Sequence, residues 1–132
     1  MKSELKQGLK FRNEIIVDQT VSAKNVASGT VDVYATPMMI ALMEQTAYQC
    51  VQPYLESGQA TVGTKVEVSH ISATPMGKRV YAEAELIEVD RRRLVFRVEA
   101  YDEAGKIGEG IHERFIIDID RFMDKLKSKY EK

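Results

Sequence analysis

The segment that most constrains the fold begins at Thr36-Pro37 and is predicted to be helical to about Leu55. Threonine is a good N-cap, and proline is favoured at the start of a helix because its missing N–H would have no partner there. The apolar positions of this segment are Met39, Ile40, Leu42, Met43, Ala47, Val51 and Leu55. Because they cover most of the circumference, we expect a helix that the rest of the chain wraps.

The chain after this helix is predicted to consist mainly of strands. Four stretches alternate between apolar and polar side chains, as half-buried strands do. They are residues 61–73, 78–88, 93–101 and 106–117. In the first stretch, the alternation predicts one face made of Val62, Thr64, Val66, Val68 and His70. Short turns separate the four stretches, so neighbouring strands should be antiparallel.

Two more elements complete the predicted order. Residues 10–17 have a strand pattern and precede the helix, whereas residues 118–130 have one apolar stripe and should form a final helix. A curved antiparallel sheet around a long central helix is the hotdog architecture, an α+β fold, and residues 1–132 are expected to form one such domain. Because a single sheet of this kind leaves an edge uncovered, we expect a homodimer with a continuous sheet.

Composition argues against several classes of function. The net charge is −1 at pH 7, which gives no electrostatic reason to expect nucleic-acid binding. The one cysteine, Cys50, cannot form an intrachain disulfide, and the two histidines, His70 and His112, have no neighbours at metal-ligand spacing. The sequence shows no signal-peptide pattern and no stretch long enough for a membrane span. We expect a soluble, cytoplasmic protein that needs no metal, cofactor or membrane.

Three polar residues interrupt the apolar patterns. Glu44 lies within the apolar helix, where a carboxylate needs a charged partner, a raised pKa or a water-filled pocket; it could also simply reach solvent or pair with an arginine. His70 lies on the apolar face of its strand, either as a satisfied core residue or as a titratable partner for Glu44. Thr36 is either only an N-cap or a hydroxyl beside helix-start N–H groups that can hold an oxyanion.

Three motifs resemble those of a known family. The segments ATPMMIALMEQTA at 35–47, GTKVEVSHISATPMGKRV at 63–80 and GEGIHERF at 108–115 are similar to the fluoroacetyl-CoA thioesterase-like group of hotdog thioesterases. The resemblance covers roughly residues 10–118. It implies that the protein hydrolyses a small or medium acyl-CoA thioester to the free acid and CoA.

The resemblance also implies the residues that act in this reaction. Thr36, Glu44 and His70 match the three residues that act together in the family. Gly63 matches the active-site glycine, and Arg114 matches an arginine that contacts the acyl end of the substrate.

One segment differs from the family pattern. The fluoroacetyl-CoA enzyme has phenylalanines in its lid, ahead of the threonine, whereas residues 18–33 contain no aromatic side chain. The resemblance therefore implies an acyl-CoA thioesterase without implying specificity for fluoroacetyl-CoA. His112, which alternates with Arg114 on the last strand, is expected to be structural or to lie at an interface.

The spacing of Thr36 and Glu44 limits how one chain can use both. Eight residues of continuous helix separate their Cα atoms by about 12 Å, so the active site is expected to lie at the interface of the homodimer. In that site Glu44 would attack the thioester carbonyl or direct a water, and His70 would move the proton. Thr36 would orient the carboxylate or act as the nucleophile. Backbone N–H groups near the helix start or near Gly63 are predicted to bind the developing oxyanion.

Two other functions stay open on sequence alone. A hotdog module could bind an acyl-CoA or an acyl carrier without cleaving it, in which case it would not need the titratable pair of Glu44 and His70. A hydratase-type hotdog uses an aspartate and a histidine a few residues apart in one loop, and neither histidine of this chain has that arrangement.

Overall fold

The structure, a computed structural model, describes residues 4–131 of the chain. The elements are β1 (Lys10–Ile16), α1 (Thr36–Val51), β2 (Gln59–His70), β3 (Arg79–Asp90), β4 (Arg93–Asp102), β5 (Gly105–Asp118) and α2 (Ile119–Ser128). The strands form one antiparallel sheet in the order β1-β3-β4-β5-β2. This confirms the predicted order of elements and the predicted antiparallel sheet.

Helix α1 packs its apolar side against the sheet. Met39, Met43, Ala47 and Val51 are almost completely buried, and they join one core cluster with side chains from β3, β4 and β5. The helix ends at Val51, earlier than predicted, and continues as a 3-10 turn over Gln52–Tyr54, where Pro53 supplies no N–H.

The expectation that the rest of the chain wraps α1 holds for only part of its circumference. A stripe made of Pro37, Ala41, Gln45 and Tyr48 is exposed. These residues recur every three or four positions, so they share one side of the helix. The physical reason is that the sheet of a single chain covers α1 from one side only.

Strand β2 contains a bulge that the alternation pattern did not predict. Gly63 pairs with Arg114 and Lys65 with Glu113, so Thr64 is an extra residue in the ladder. An extra residue reverses the alternation of side chains beyond it. The predicted common face of residues 62–70 was therefore wrong at its first two positions: Val62 lies beside Phe115 on the outer face, whereas Val66 lies beside His112 on the face toward α1.

The bulge has a second consequence, which concerns Gly63 and His70. Seven residues separate them, and strict alternation would place them on opposite faces. With Thr64 as the extra residue, both lie on the face toward α1, Gly63 beside Arg114 and His70 beside Gly108.

The outer edge of β2 is uncovered in the single chain. Sheet order places this strand at one end of the sheet, and residues 63–67 are exposed on it, with Val66 at 41% exposure. A long, uncovered edge strand is a site where another strand can add. No helix among residues 4–131 is long and apolar enough to cross a bilayer.

Candidate active site

Thr36 and His70 form a direct pair at the start of α1. The Thr36 Oγ1 lies 2.7 Å from His70 Nδ1. Thr36 is the first helical residue and Ala35 is the N-cap, with no side-chain cap hydrogen bond, so the prediction that Thr36 caps the helix was wrong. The hydroxyl is engaged by the histidine at the end of β2 instead.

The other ring nitrogen of His70 has no partner among residues 4–131. Its Nε2 is buried without a hydrogen bond, and a buried polar atom in this state costs free energy unless something else meets it. Burial lowers the pKa of His70, which keeps the ring neutral and able to accept a proton. The edge of the ring packs against Tyr34, with 6.4 Å between ring centroids, and Tyr34 is 1% exposed.

A cavity of about 360 Å³ opens beside this pair. Its walls come from the loop before α1 and from the residues that follow β2. The wall residues of the loop, apart from Tyr34, are small or β-branched: Ala23, Ser28, Gly29, Thr30, Val31 and Val33. The pair therefore faces a space that a small molecule can enter.

Fewer backbone N–H groups than predicted are free to bind an oxyanion at the start of α1. The N–H groups of Met38 and Met39 both donate to Ala35 O, and Pro37 has no N–H. Among residues 4–131, this leaves the Thr36 N–H as the amide of the first turn without a backbone acceptor. The oxyanion donor expected at the helix start is thus reduced to one group.

Glu44, Gly63 and Arg114 form a second group deeper along α1. Arg114 Nη1 lies 3.8 Å from Glu44 Oε2, and the Glu44 side chain is 40% exposed whereas that of Arg114 is 9% exposed. A Cβ atom at Gly63 would lie 3.0 Å from the same carboxylate oxygen and 3.3 Å from Arg114 Nη1. A larger residue at position 63 would therefore press on this ion pair. Within one chain Glu44 pairs with an arginine, as the structural alternative predicted.

Most of the hydrogen-bond donors of Arg114 are already used. Its Nε donates to Thr61 Oγ1 at 2.7 Å and its Nη2 to the Thr61 carbonyl at 2.9 Å. Its Nη1 donates to His112 Nε2 at 3.1 Å. A guanidinium has five N–H donors, so one remains on each terminal nitrogen without a protein partner among the described residues. The result is a fixed cation whose Nη1 lies next to Glu44.

The structure thus brings the predicted site residues into two groups, not one. Thr36 and His70 are in direct contact, whereas Glu44, Gly63 and Arg114 lie two helical turns farther along α1. Sequence reasoning missed Tyr34, which lies beside His70, and Thr61, which bonds to Arg114, and it assigned His112 only a structural or interfacial role. The sequence did contain a signal for His112, because it is a polar residue that alternates with Arg114 on one strand.

The lowered pKa values of both histidines predict how the stability of the folded protein depends on pH. Burial lowers the pKa of His70 and of His112 below the usual value of 6.5. The unfolded chain therefore binds more protons than the folded chain as the pH falls below about 6.5. We expect the melting temperature to be highest above this pH and to decrease below it. Differential scanning calorimetry across the pH range checks this, and a melting temperature that rises on acidification in that window contradicts it.

Comparison with known proteins identifies the family of this chain. The sequence profile of the fluoroacetyl-CoA-specific thioesterase family matches residues 17–120. The fluoroacetyl-CoA thioesterase of Streptantibioticus cattleyicolor is 35% identical over an alignment of 135 positions, which covers 98% of this chain and 97% of that protein. A solved structure of the fluoroacetyl-CoA thioesterase FlK aligns with a TM-score of 0.91 at 33% identity and covers 98% of this chain and 100% of that one.

A second solved structure is also similar to this chain. A thioesterase superfamily member from Thermus thermophilus aligns with a TM-score of 0.83 at 30% identity and covers 95% of both chains. These matches confirm the predicted hotdog fold and the predicted class of enzyme, a thioester hydrolase. The chain belongs to the fluoroacetyl-CoA-specific thioesterase family.

Proposed function

We propose that this protein hydrolyses a small or medium acyl-CoA thioester to the free acid and CoA, in a site completed across a homodimer interface. The observation that carries the proposal is the 2.7 Å contact between Thr36 Oγ1 and His70 Nδ1 beside an open cavity. A hydroxyl bonded to a neutral imidazole is an activated nucleophile. The distance leaves no space for a water between the two atoms, so Thr36 itself is the group that His70 can deprotonate.

The first half of the reaction transfers the acyl group to Thr36. Oγ1 attacks the thioester carbonyl carbon while its proton passes to His70 Nδ1. The Thr36 N–H donates to the carbonyl oxygen as negative charge develops on it. The C–S bond then breaks, and the CoA thiolate takes the proton from His70. In the second half, a water gives one proton to His70 while its oxygen attacks the acyl ester carbon. The bond from this carbon to Thr36 Oγ1 then breaks, the acid leaves, and His70 returns its proton to Oγ1.

The orphaned His70 Nε2 supports completion of the site by a second chain. If Nδ1 accepts the Thr36 proton, Nε2 carries a hydrogen that needs an acceptor, and a carboxylate would both orient the ring and stabilise the imidazolium. Glu44 of the same chain lies about 12 Å along the helix from Thr36. Glu44 of the partner subunit is the proposed acceptor.

Pairing of two β2 edges would bring the Glu44 carboxylate of the partner subunit close to His70. In an antiparallel pair about a two-fold axis at Glu67, His70 of one chain lies opposite Gly63 of the partner subunit, because the bulge at Thr64 leaves each of them three ladder positions from the axis. Opposite residues in such a pair point to the same face. Gly63 lies next to Glu44 in its own chain, so the second group of one subunit would meet Thr36 and His70 of the other.

The cavity supports the size range of the acyl group. Its volume of about 360 Å³ lies near the low end of small-molecule pockets, which hold about 300–1,000 Å³. No aromatic side chain from residues 18–33 fills it. Arg114 is the proposed contact to the acyl end, through the N–H groups that its neighbours leave free.

A cytoplasmic location is part of the proposal, because a free buried thiol at Cys50 suits a reducing compartment.

A panel of acyl-CoA esters from acetyl-CoA to palmitoyl-CoA tests the function. We expect release of free CoA thiol from the wild-type protein, with the highest kcat/KM for a short or medium chain. If no ester releases thiol while acyl-CoA raises the melting temperature, the protein binds acyl-CoA without cleaving it and the proposal is wrong.

Mass spectrometry after rapid quenching tests the acyl-threonine intermediate. We expect the peptide that contains Thr36 to gain the mass of one acyl group.

A further inference from the structure

His112 is buried within the second group, and both of its ring nitrogens are hydrogen-bonded. It is 1% exposed. Its Nδ1 lies 2.8 Å from the backbone oxygen of Lys65, at the β2 bulge, and its Nε2 lies 3.1 Å from Arg114 Nη1. The ring stacks on Phe96 with 6.2 Å between centroids, so a third contact restrains its plane.

These contacts determine the protonation state of His112. A carbonyl oxygen only accepts hydrogen bonds, so Nδ1 must carry the hydrogen; a guanidinium only donates, so Nε2 must not. The ring is therefore neutral, and an imidazolium would turn an N–H toward a guanidinium N–H. Burial, the largest cause, and the charge of Arg114 both lower the pKa of His112, although the bond to Lys65 opposes them.

Arg114 needs this acceptor to keep one orientation. Thr61 holds the Nε and Nη2 side of the guanidinium, whereas His112 is the hydrogen-bond acceptor of Nη1. Nη1 is also the nitrogen that faces Glu44 Oε2 at 3.8 Å, a distance too long for a hydrogen bond. Without His112, the described residues would hold this nitrogen by the ion pair alone.

We propose that His112 is a positioning residue for acyl-CoA hydrolysis: its Nε2 fixes one Nη1–H of Arg114, which aims the other toward Glu44 and the acyl end of the substrate. This inference rests on the proposed function, because it assigns His112 a part in the same site. His112 itself does not touch the reacting atoms. It acts through Arg114, and the test must separate that role from a general role in packing.

Two substitutions at position 112 form a matched pair. Glutamine can place an amide oxygen where Nε2 lies and keep the bond from Arg114, whereas asparagine can reach the Lys65 carbonyl but not Arg114. We expect His112→Asn to lower kcat/KM by about 10- to 100-fold, the range for a lost hydrogen bond to a charged group, and His112→Gln to stay within about threefold of wild type. Equal losses in the two variants, or no loss in His112→Asn, overturn the proposal.

A double-mutant cycle tests whether His112 acts through Arg114. In an Arg114→Gln background, His112→Asn should have little further effect on kcat/KM, because the group that it positions is gone. The same loss in both backgrounds indicates a packing role and overturns the proposal. Melting temperatures of all variants show whether each one folds.

Nuclear magnetic resonance of the wild-type protein tests the contact without using activity. With only two histidines in the chain, ¹⁵N imidazole spectra can be assigned by comparison with His112→Gln. We expect the Nδ1–H tautomer for His112 at neutral pH, and an Nε2–H tautomer or an imidazolium overturns the proposal. If no acyl-CoA is hydrolysed at all, the proposed function fails, and the tautomer separately reports whether the bond between His112 and Arg114 exists.

Discussion

Replacement of His70 by alanine is expected to lower kcat for acyl-CoA hydrolysis by at least about 100-fold, the low end of the effect of general acid–base catalysis. The reason is the direct bond from Thr36 Oγ1 to His70 Nδ1, which gives the hydroxyl its base. Alanine leaves Thr36 with no described side chain to accept its proton. KM should change much less, because the imidazole contributes to the transition state more than to substrate binding.

The measurement is steady-state thiol release with the best ester of the panel. Ser69→Ala is a matched control, because Ser69 precedes His70 on β2, is exposed, and pairs with Glu109 on the opposite face of the sheet. That variant should keep nearly the wild-type rate. A His70→Ala enzyme that turns over near the wild-type rate, with normal melting behaviour, removes His70 from the reaction.

Mixing two inactive variants is expected to restore activity. Glu44→Gln should lose about 100-fold in kcat, as His70→Ala does. In the proposed dimer, a hybrid of the two variants has one site with Thr36 and His70 from one chain and Glu44 from the other, all intact. Its second site carries both substitutions. If the subunits reassort at random, half of the dimers are hybrids, and the mixture should reach about one quarter of wild-type activity.

The experiment requires dissociation and reassociation of the subunits, by dilution or mild denaturant, before the assay. Glu56→Gln serves as the control for the loss of a carboxylate, since Glu56 is exposed beyond the end of α1. In its mixture with His70→Ala, only the sites that keep His70 should be active, each at the wild-type rate. If the mixture of Glu44→Gln and His70→Ala stays as inactive as its parents although mass spectrometry detects hybrids, the site lies within one chain.

The sequence was sufficient for the order of elements because that order depends on local periodicity. Alternation predicted the strands β2 to β5, and the apolar segment after Thr36-Pro37 predicted α1. The ends of elements were less accurate. Pro53 ended α1 at Val51, and an N-cap assigned to Thr36 moved to Ala35, because the threonine hydroxyl is bonded to a residue that lies 34 positions away in the chain.

The candidate site was predictable as a set of residue types but not as an arrangement. Glu44 and His70 were identifiable because a titratable side chain in an apolar pattern requires a partner, and the family resemblance implied Gly63 and Arg114. His112 was assigned a structural or interfacial role, since one strand pattern cannot show that a ring nitrogen will meet a guanidinium. That contact depends on the orientations of the two side chains, which Lys65 and Thr61 of β2 restrain.

The sequence by itself determined the elements, the antiparallel sheet and the chemical groups available to a site, because these depend on near neighbours in the chain. Only the tertiary structure decided which groups meet. The bulge at Thr64 places Gly63 and His70 on one face although seven residues separate them. The packing of α1 against β2 and β5 then divides the predicted residues between Thr36–His70 and Glu44–Arg114. A change of register by one residue would reverse every side chain beyond it, and no local pattern records that choice.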